Sequence, residues 1–205
     1  MIFEIRTYDL LPGSLAEVLQ RFGRAYEHRR AFSPLAAFWF TEIGPLNQII
    51  HVWAYADFAE RARVRAEAAA SGQWPPSLGE FITAMNSEIF EPSPFTPGWP
   101  TGELGPYFEL RSYGLRPAAA AASIEAWRGA IDERRQRSPL IMSMYSDIGG
   151  LNKHVHIWAY NSLDQRAEVR EKAKADGVWP PEGSAGRIVS QENKILLAAD
   201  FSPLR

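Results

Sequence analysis

The sequence contains no cysteine. This excludes disulfide bonds, thiolate nucleophiles and zinc–thiolate sites, and it fits a reducing compartment. No apolar run approaches the roughly 18 residues that a membrane-spanning helix needs, so we expect no membrane partner. The N-terminal residues 1–6 have the pattern of a strand and lack the apolar region of a signal peptide. We therefore expect a cytoplasmic protein.

A strong net charge of either sign is also missing, because the formal net charge is only -2. Without a basic surface for a phosphate backbone, we expect no nucleic-acid partner. The chain has no P-loop, no dinucleotide-binding glycine fingerprint and no nucleophile elbow, which removes the best-marked enzyme classes. What remains is an ordinary globular composition, with 46% hydrophobic and 22% charged residues in a chain of 205.

The most informative feature present is an internal repeat. FEIRTY at residues 3–8 recurs as FELRSY at 108–113, which is 105 residues later. The same shift carries HVWAY at 51–55 onto HIWAY at 156–160, and WPP at 74–76 onto WPP at 179–181. A period this long indicates a duplicated domain rather than a solenoid. We predict a first repeat at 1–90, a semi-rigid Pro/Gly-rich linker at 91–106 and a second repeat at 107–205.

Each repeat has the pattern of a βαββαβ unit. In the first repeat, residues 2–9 alternate as a strand does, and a capping box formed by Ser14 and Glu17 precedes a helical apolar stripe. Strands follow at 36–43, 47–55 and about 81–90, with a second helix opening at Asp57 and stopping near Gly72. This order predicts an α+β, ferredoxin-like fold with both helices on one face of a four-stranded sheet. The simplest way to cover the bare faces is to pack the two sheets against each other.

Strand alternation predicts which side chains line the cavity between the two sheets. We assign Phe3, Ile5, Ile50 and Val52 to the face beneath the helices, and the polar and aromatic residues of the same strands to the cavity. The candidate ligand-binding residues are Glu4, Arg6, Tyr8, Asn47, His51, Trp53 and Tyr55 in the first repeat, and Glu109, Arg111, Tyr113, Asn152, His156, Trp158 and Tyr160 in the second.

Two interpretations of these residues remain open. They suit a small anionic or aromatic ligand, or they form a polar network that fixes how the repeats dock. Glu4 and Arg6 lie two apart on one strand face, which favours an ion pair between them.

His154 and His156 could begin a metal site with Asp147 or Glu42, but spacing fixes no third ligand, so we predict no metal and no cofactor. Arg61 and Arg65, with Arg166 and Arg170, could bind an anion or line a solvated helix edge.

These blocks, together with TEIGPLN at 41–47, DIGGLN at 147–152 and Arg61–Ala62, resemble the NIPSNAP family over nearly all of both repeats. The resemblance implies a dimeric α/β barrel, formed here within one chain. It implies no settled catalytic activity and no catalytic residues. The family's animal members resemble mitochondrial adaptor proteins, but this sequence shows no transit segment.

The sequence therefore leaves three functions to distinguish. The first is a barrel that binds a small molecule. The second is an enzyme resembling cofactor-independent oxygenases or haem-degrading barrels, a comparison that Asn47, His51 and Trp53 invite at the level of fold alone. The third is a non-catalytic adaptor or assembly protein. Separately, we expect that the two-repeat chain can form a homodimer.

Overall fold

A computed structural model describes all residues 1–205 and contains eight strands and five helices. The first repeat contains β1 (Ile2–Leu10), α1 (Leu15–Arg29), β2 (Leu35–Ile43), β3 (Gln48–Tyr55), α2 (Phe58–Ala70) and β4 (Ile82–Pro92). The second contains β5 (Tyr107–Leu115), α3 (Ala120–Arg135), β6 (Leu140–Ile148), β7 (Lys153–Tyr160), α4 (Leu163–Ala175), α5 (Ser184–Arg187) and β8 (Ile188–Ala198). The predicted order βαββαβ is confirmed in both repeats, with α5 as an additional turn of helix in the second.

The helix starts follow local capping chemistry. At the start of α2, Asp57 Oδ1 accepts a 2.8 Å hydrogen bond from the Glu60 backbone N–H, as predicted. The capping box predicted at Ser14 does not form. The Ser14 hydroxyl instead donates to the Leu11 carbonyl at 2.7 Å, and Glu17 pairs with Arg21. The turn that precedes the helix therefore uses the Ser14 hydroxyl, which is then not available for the capping box.

The eight strands close into one antiparallel barrel in the order β1-β3-β2-β8-β5-β7-β6-β4. Within each repeat the first and third strands are central neighbours, as the split βαβ plan requires. The last strand of each repeat pairs on one edge with the first strand of its own repeat and crosses on the other edge to the other repeat. β8 pairs with β2, and β4 pairs with β6. The two repeats therefore complete each other's sheets as an intramolecular dimeric α/β barrel.

The prediction of which strand face points toward the helices and which toward the space between the sheets is wrong. Phe3, Ile5, Ile50 and Val52 belong to one buried cluster that also contains Phe108, Leu110, Val155 and Ile157 of the second repeat. This cluster joins the central strands of the two sheets, β1 and β3 with β5 and β7, so the most apolar face looks into the barrel and not toward the helices. The polar and aromatic face lies beneath the helices, where Tyr8 and Trp53 join a separate cluster with Val18 and Phe22 of α1.

The segment between the repeats closes part of the barrel as well as linking its halves. β4 runs to Pro92, two residues into the expected linker. Trp99 packs against Phe3 and Trp39 of the barrel core, and its indole N–H donates to the Ala36 carbonyl at 2.9 Å. Gly102 forms a parallel bridge with Leu204, which brings the C-terminus to the same end of the barrel. None of the five helices combines the length and apolar composition that crossing a membrane requires.

Candidate functional site

A cavity of about 180 Å³ lies beneath the helices of the first repeat, on the outer face of the barrel. It brings together five of the seven residues predicted for this repeat, although on the opposite sheet face from the one expected. Its lining consists of Arg6, Tyr8, Arg29, His51, Trp53, Tyr55, Arg65, Ala69, Trp74, Pro75 and Met85. Strands β1 and β3 supply the floor, α1 and α2 supply two arginines, and the loop after α2 supplies Trp74 and Pro75.

Glu4 organises the cationic side of this site from beneath. Its carboxylate is fully buried and accepts hydrogen bonds from Arg6 at 2.8 Å, from Arg61 at 2.8 and 3.0 Å, and from Ser87 at 2.7 Å. Burial alone would raise the pKa of Glu4, but hydrogen bonds from Arg61 and Ser87 and the charges of Arg6 and Arg65 outweigh it and lower the pKa to about 2. The predicted Glu4–Arg6 ion pair is confirmed, and Arg61 binds the same carboxylate instead of lining a solvated edge.

His51 is held as a neutral hydrogen-bond donor. The indole N–H of Trp53 can only donate, and it lies 2.7 Å from His51 Nδ1, so the ring proton resides on Nε2. Nε2 is buried and has no hydrogen-bond partner in the protein. Burial, together with the charge on Arg6, lowers the pKa of His51 to about 3. At neutral pH the ring is therefore uncharged and carries an unpartnered Nε2–H, while its proton-accepting nitrogen is already occupied.

Arg29 contributes a buried positive charge to the cavity wall. The residue is 2% exposed, and its guanidinium lies over the rings of Trp53 and Trp74, at 4.5 and 5.8 Å from their centroids. Its guanidinium donates to the Ser33 carbonyl at 3.3 Å, and the Tyr55 hydroxyl beside it favours the charged form. Burial lowers the pKa of Arg29, and no carboxylate contributes to the shift. The site thus contains a guanidinium that aromatic faces stabilise but that no acidic side chain neutralises.

Asn47 and Asn152 lie away from this cavity. Both sit in the hairpins before β3 and β7 with positive φ of 56° and 54°, a conformation that asparagine tolerates better than most residues. Their carbonyls accept hydrogen bonds from the backbone of Leu10 and Leu115, at 2.8 and 2.7 Å. Their conformation and backbone hydrogen bonds give both asparagines a role in the turns. Asn47 does not line the cavity, so it does not support the comparison with oxygenase cavities.

The second repeat reproduces the polar core of the first. Arg111 donates to Glu109 at 2.6 Å and to Tyr113 at 2.7 Å, and Trp158 donates to His156 Nδ1 at 2.7 Å. Tyr160 is bonded to Arg134 of α3 at 3.2 Å. The candidate residues of the second repeat, apart from Asn152, therefore also lie beneath helices and not between the sheets.

The surroundings of that core differ between the repeats. Trp127 replaces Phe22, and its ring lies 4.5 and 4.7 Å from those of His154 and His156. His154 replaces Ile49, and the Ser143 hydroxyl lies 2.9 Å from its Nε2. No group of three His, Asp or Glu side chains in the chain is arranged to hold a metal ion.

The space between the two sheets is a separate cavity of about 290 Å³ at one mouth of the barrel. Its floor is apolar, and its rim carries the charged side chains of Asp9, Glu88, Lys153, Glu192 and Lys194. Lys153 binds Glu88 at 2.5 Å, and Lys194 donates to Gln48 at 2.6 Å. Both contacts cross from one repeat to the other, so this rim fixes how the repeats dock, a role that the sequence had suggested for the other strand face.

Sequence reasoning missed Arg29, Trp74 and Pro75. A signal for Arg29 was present, because it continues the apolar stripe of α1 through Val18, Phe22 and Ala25, and a charged residue there must be buried. Trp74 and Pro75 belong to the repeated WPP motif, joined by a cis peptide bond. Nothing in the sequence indicates how that loop folds back over β3.

Comparison with known proteins identifies relatives of this chain. The NIPSNAP family model matches residues 3–97 and 108–203, which correspond to the two repeats. The human protein NipSnap homolog 3A is 30% identical over 215 residues, covering 100% of this chain and 86% of the relative. The mouse protein NipSnap homolog 3B is 31% identical over 214 residues, covering 99% of this chain and 85% of the relative.

Solved structures share the whole fold at much lower identity. A proposed monooxygenase from Lactobacillus acidophilus superposes with a TM-score of 0.64 and 14% identity, covering 98% of this chain and 97% of that one. An anthrone oxidase-like protein gives a TM-score of 0.63 and 8% identity, covering 96% and 90%. At these identities the similarity establishes the barrel fold alone.

Proposed function

The chain belongs to the NIPSNAP family, and from that premise we propose that its first repeat binds a small anionic molecule in the cavity beneath α1 and α2. The ligand class is a carboxylate or a phosphate ester with a compact apolar or aromatic part. The family has no specific established activity, so the proposal depends on the site itself. The observation that carries it is the buried guanidinium of Arg29, which lines the cavity without an acidic partner.

The charge balance around the cavity supports an anion. Arg6, Arg29 and Arg65 line it, whereas Glu4 beneath them supplies a single carboxylate that Arg61 also shares. A buried charge without a partner is costly, and a bound anion would remove that cost. Guanidinium groups also match the planar geometry of carboxylate and phosphate oxygens.

The neutral groups of the cavity suit the same ligand. His51 offers an unpartnered Nε2–H, and hydrogen bonds from such donors to an anion are stronger than those to a neutral acceptor. Burial raises the pKa of Tyr55, which keeps its hydroxyl protonated. The rings of Trp53 and Trp74 provide an apolar surface for the rest of the molecule.

Size and protonation favour binding over the enzymatic alternatives. The volume of about 180 Å³ is below the roughly 300–1,000 Å³ of drug-sized ligand sites, so a haem-sized substrate would need the helices to move. His51 has its Nδ1 occupied by Trp53 and its pKa lowered to about 3, which makes it a poor general base. A cytoplasmic location and a homodimer of the two-repeat chain stay predictions.

The test is isothermal titration calorimetry with benzoate and phenyl phosphate, comparing wild type with Arg29→Met. We expect wild type to bind at least one of the two anions and Arg29→Met to weaken that binding at least tenfold, because the unpaired buried charge is gone. The variant should fold normally, since methionine has a similar length and its introduction leaves no acidic partner of Arg29 as an unpaired buried charge.

The matched control is Arg134→Met. Arg134 occupies the equivalent position in the second repeat, is 2% exposed and lies over Trp158, but it does not line the cavity of that repeat. Its replacement should leave the affinity unchanged. A second variant, Arg65→Gln, alters a more exposed cavity residue and should weaken binding without endangering the fold. Failure of both anions to bind wild type, or equal loss in Arg29→Met and Arg134→Met, would contradict the proposal.

A further inference from the structure

The second repeat has a cavity of its own with a different chemical character. It measures about 360 Å³, twice the volume of the cavity in the first repeat. No acidic or basic side chain lines it. Its lining includes Trp127, Trp179, Ser184, Ala185 and Gln191. Duplication has therefore placed two unlike pockets at related positions.

Two local changes produce this difference. Trp127 stands where the first repeat has Phe22, and its larger ring packs on both His154 and His156. The loop before the last strand is also one residue longer, since β5 meets β8 at Leu115–Ile188 whereas β1 meets β4 at Leu10–Ile82. The longer loop forms α5, and its residues Ser184 and Ala185 become a wall of the cavity.

The aromatic lining has a defined shape. The rings of Trp127 and Trp179 lie at 85° to each other with their centroids 4.6 Å apart, which makes an apolar corner. A planar ring that enters this corner can stack on one indole and meet the other edge to face, both of which are favoured aromatic geometries. Ser184 and Gln191 add polar groups for a ring substituent.

We propose that this cavity is a second ligand site, specific for a neutral planar aromatic molecule. An anionic ligand would gain no counter-charge from the lining and would lose its hydration, so the site discriminates against the ligands proposed for the first repeat. A two-ring aromatic molecule matches the larger volume. The two repeats of one chain would then hold two ligands of different charge.

The test uses 2-naphthol, a neutral planar probe, with tryptophan fluorescence and calorimetry as readouts. We expect saturable binding to wild type that quenches the fluorescence, and at least a tenfold loss of affinity in Trp179→Ala, which removes one wall of the corner. The matched control is Trp74→Ala, which alters the equivalent tryptophan of the first cavity and should leave 2-naphthol binding unchanged.

A second variant keeps the test independent of folding. Ala185→Phe adds a ring at an exposed position of α5 and should fill the cavity and block 2-naphthol. Lack of saturable binding to wild type, or equal effects of Trp179→Ala and Trp74→Ala, would overturn the proposal. Benzoate titrations of the same variants report on the first cavity separately, so the two sites can fail independently.

Discussion

His154 should make the protein unfold more readily as the solution becomes mildly acidic. It is fully buried on β7, where burial lowers its pKa from 6.5 to about 3, and no charged neighbour contributes to that shift. The unfolded chain therefore binds a proton at this residue far more readily than the folded chain. The associated stability is fully present above pH 6.5 and is lost as the pH falls from there toward 3.

The expected magnitude follows from these two pKa values. Lowering the pH from about 7.5 to about 5 should cost about 2 kcal/mol of unfolding free energy at this single residue. Glu4 does not interfere in this range, because its pKa is lowered to about 2 and its contribution is lost only in stronger acid. His51 responds in the same direction as His154, so wild type should weaken by more than one histidine's share.

The measurement is urea unfolding of wild type and His154→Ile at several pH values, followed by tryptophan fluorescence. Isoleucine is the residue that the first repeat carries at the equivalent position, Ile49, and Ser143 keeps its 2.8 Å bond to Ser93. The variant should lose about 2 kcal/mol less than wild type between about pH 7.5 and about pH 5. Replacing the exposed His28 by Gln is the control. Identical pH dependence in wild type and His154→Ile would refute this reasoning.

Two further substitutions test how much single contacts contribute to stability. Gly105→Ala should destabilise the protein by about 1–3 kcal/mol in a thermal unfolding assay. The reason is that Gly105 has φ of 132° and an added Cβ would lie 2.6 Å from the Tyr160 carbonyl oxygen. Gly98→Ala is the control and should have little effect, because an added Cβ there meets open space. Glu4→Gln should cost about 2–4 kcal/mol in urea unfolding, because it leaves Arg6 and Arg61 without their shared carboxylate. Glu80→Gln, at an exposed ion pair, should change stability by under about 1 kcal/mol, and a similar cost for both substitutions would contradict the role given to Glu4.

The repeat and the strand periodicity were sufficient to predict the fold. FEIRTY and HVWAY indicated the central strands, and the last strand of the first repeat lies within two residues of its predicted ends. The order of elements then left few alternatives to two sheets packed face to face. These inferences needed only local pattern and connectivity, which one sequence contains.

The orientation of the strands could not be predicted in the same way. Alternation separates the two faces of β1 but does not show which face points into the barrel and which lies beneath the helices. Both faces are buried here, Phe3 and Ile5 inside the barrel and Glu4 and Tyr8 beneath the helices. The polar face tolerates burial because Arg61 of α2 binds Glu4, and that contact joins residues 57 positions apart. Only tertiary structure supplies that information.

The crossing of β4 and β8 has a consequence for how the protein is made. During synthesis the first repeat leaves the ribosome long before β8 (Ile188–Ala198), the strand that must pair with β2, has been translated. Until then the barrel stays open between β2 and β5, so its apolar interior, including Trp39 of β2, is accessible to solvent or to other nascent chains. A truncated chain that stops before β8 should therefore aggregate or be retained by chaperones, even though it contains every residue that lines the cavity of the first repeat.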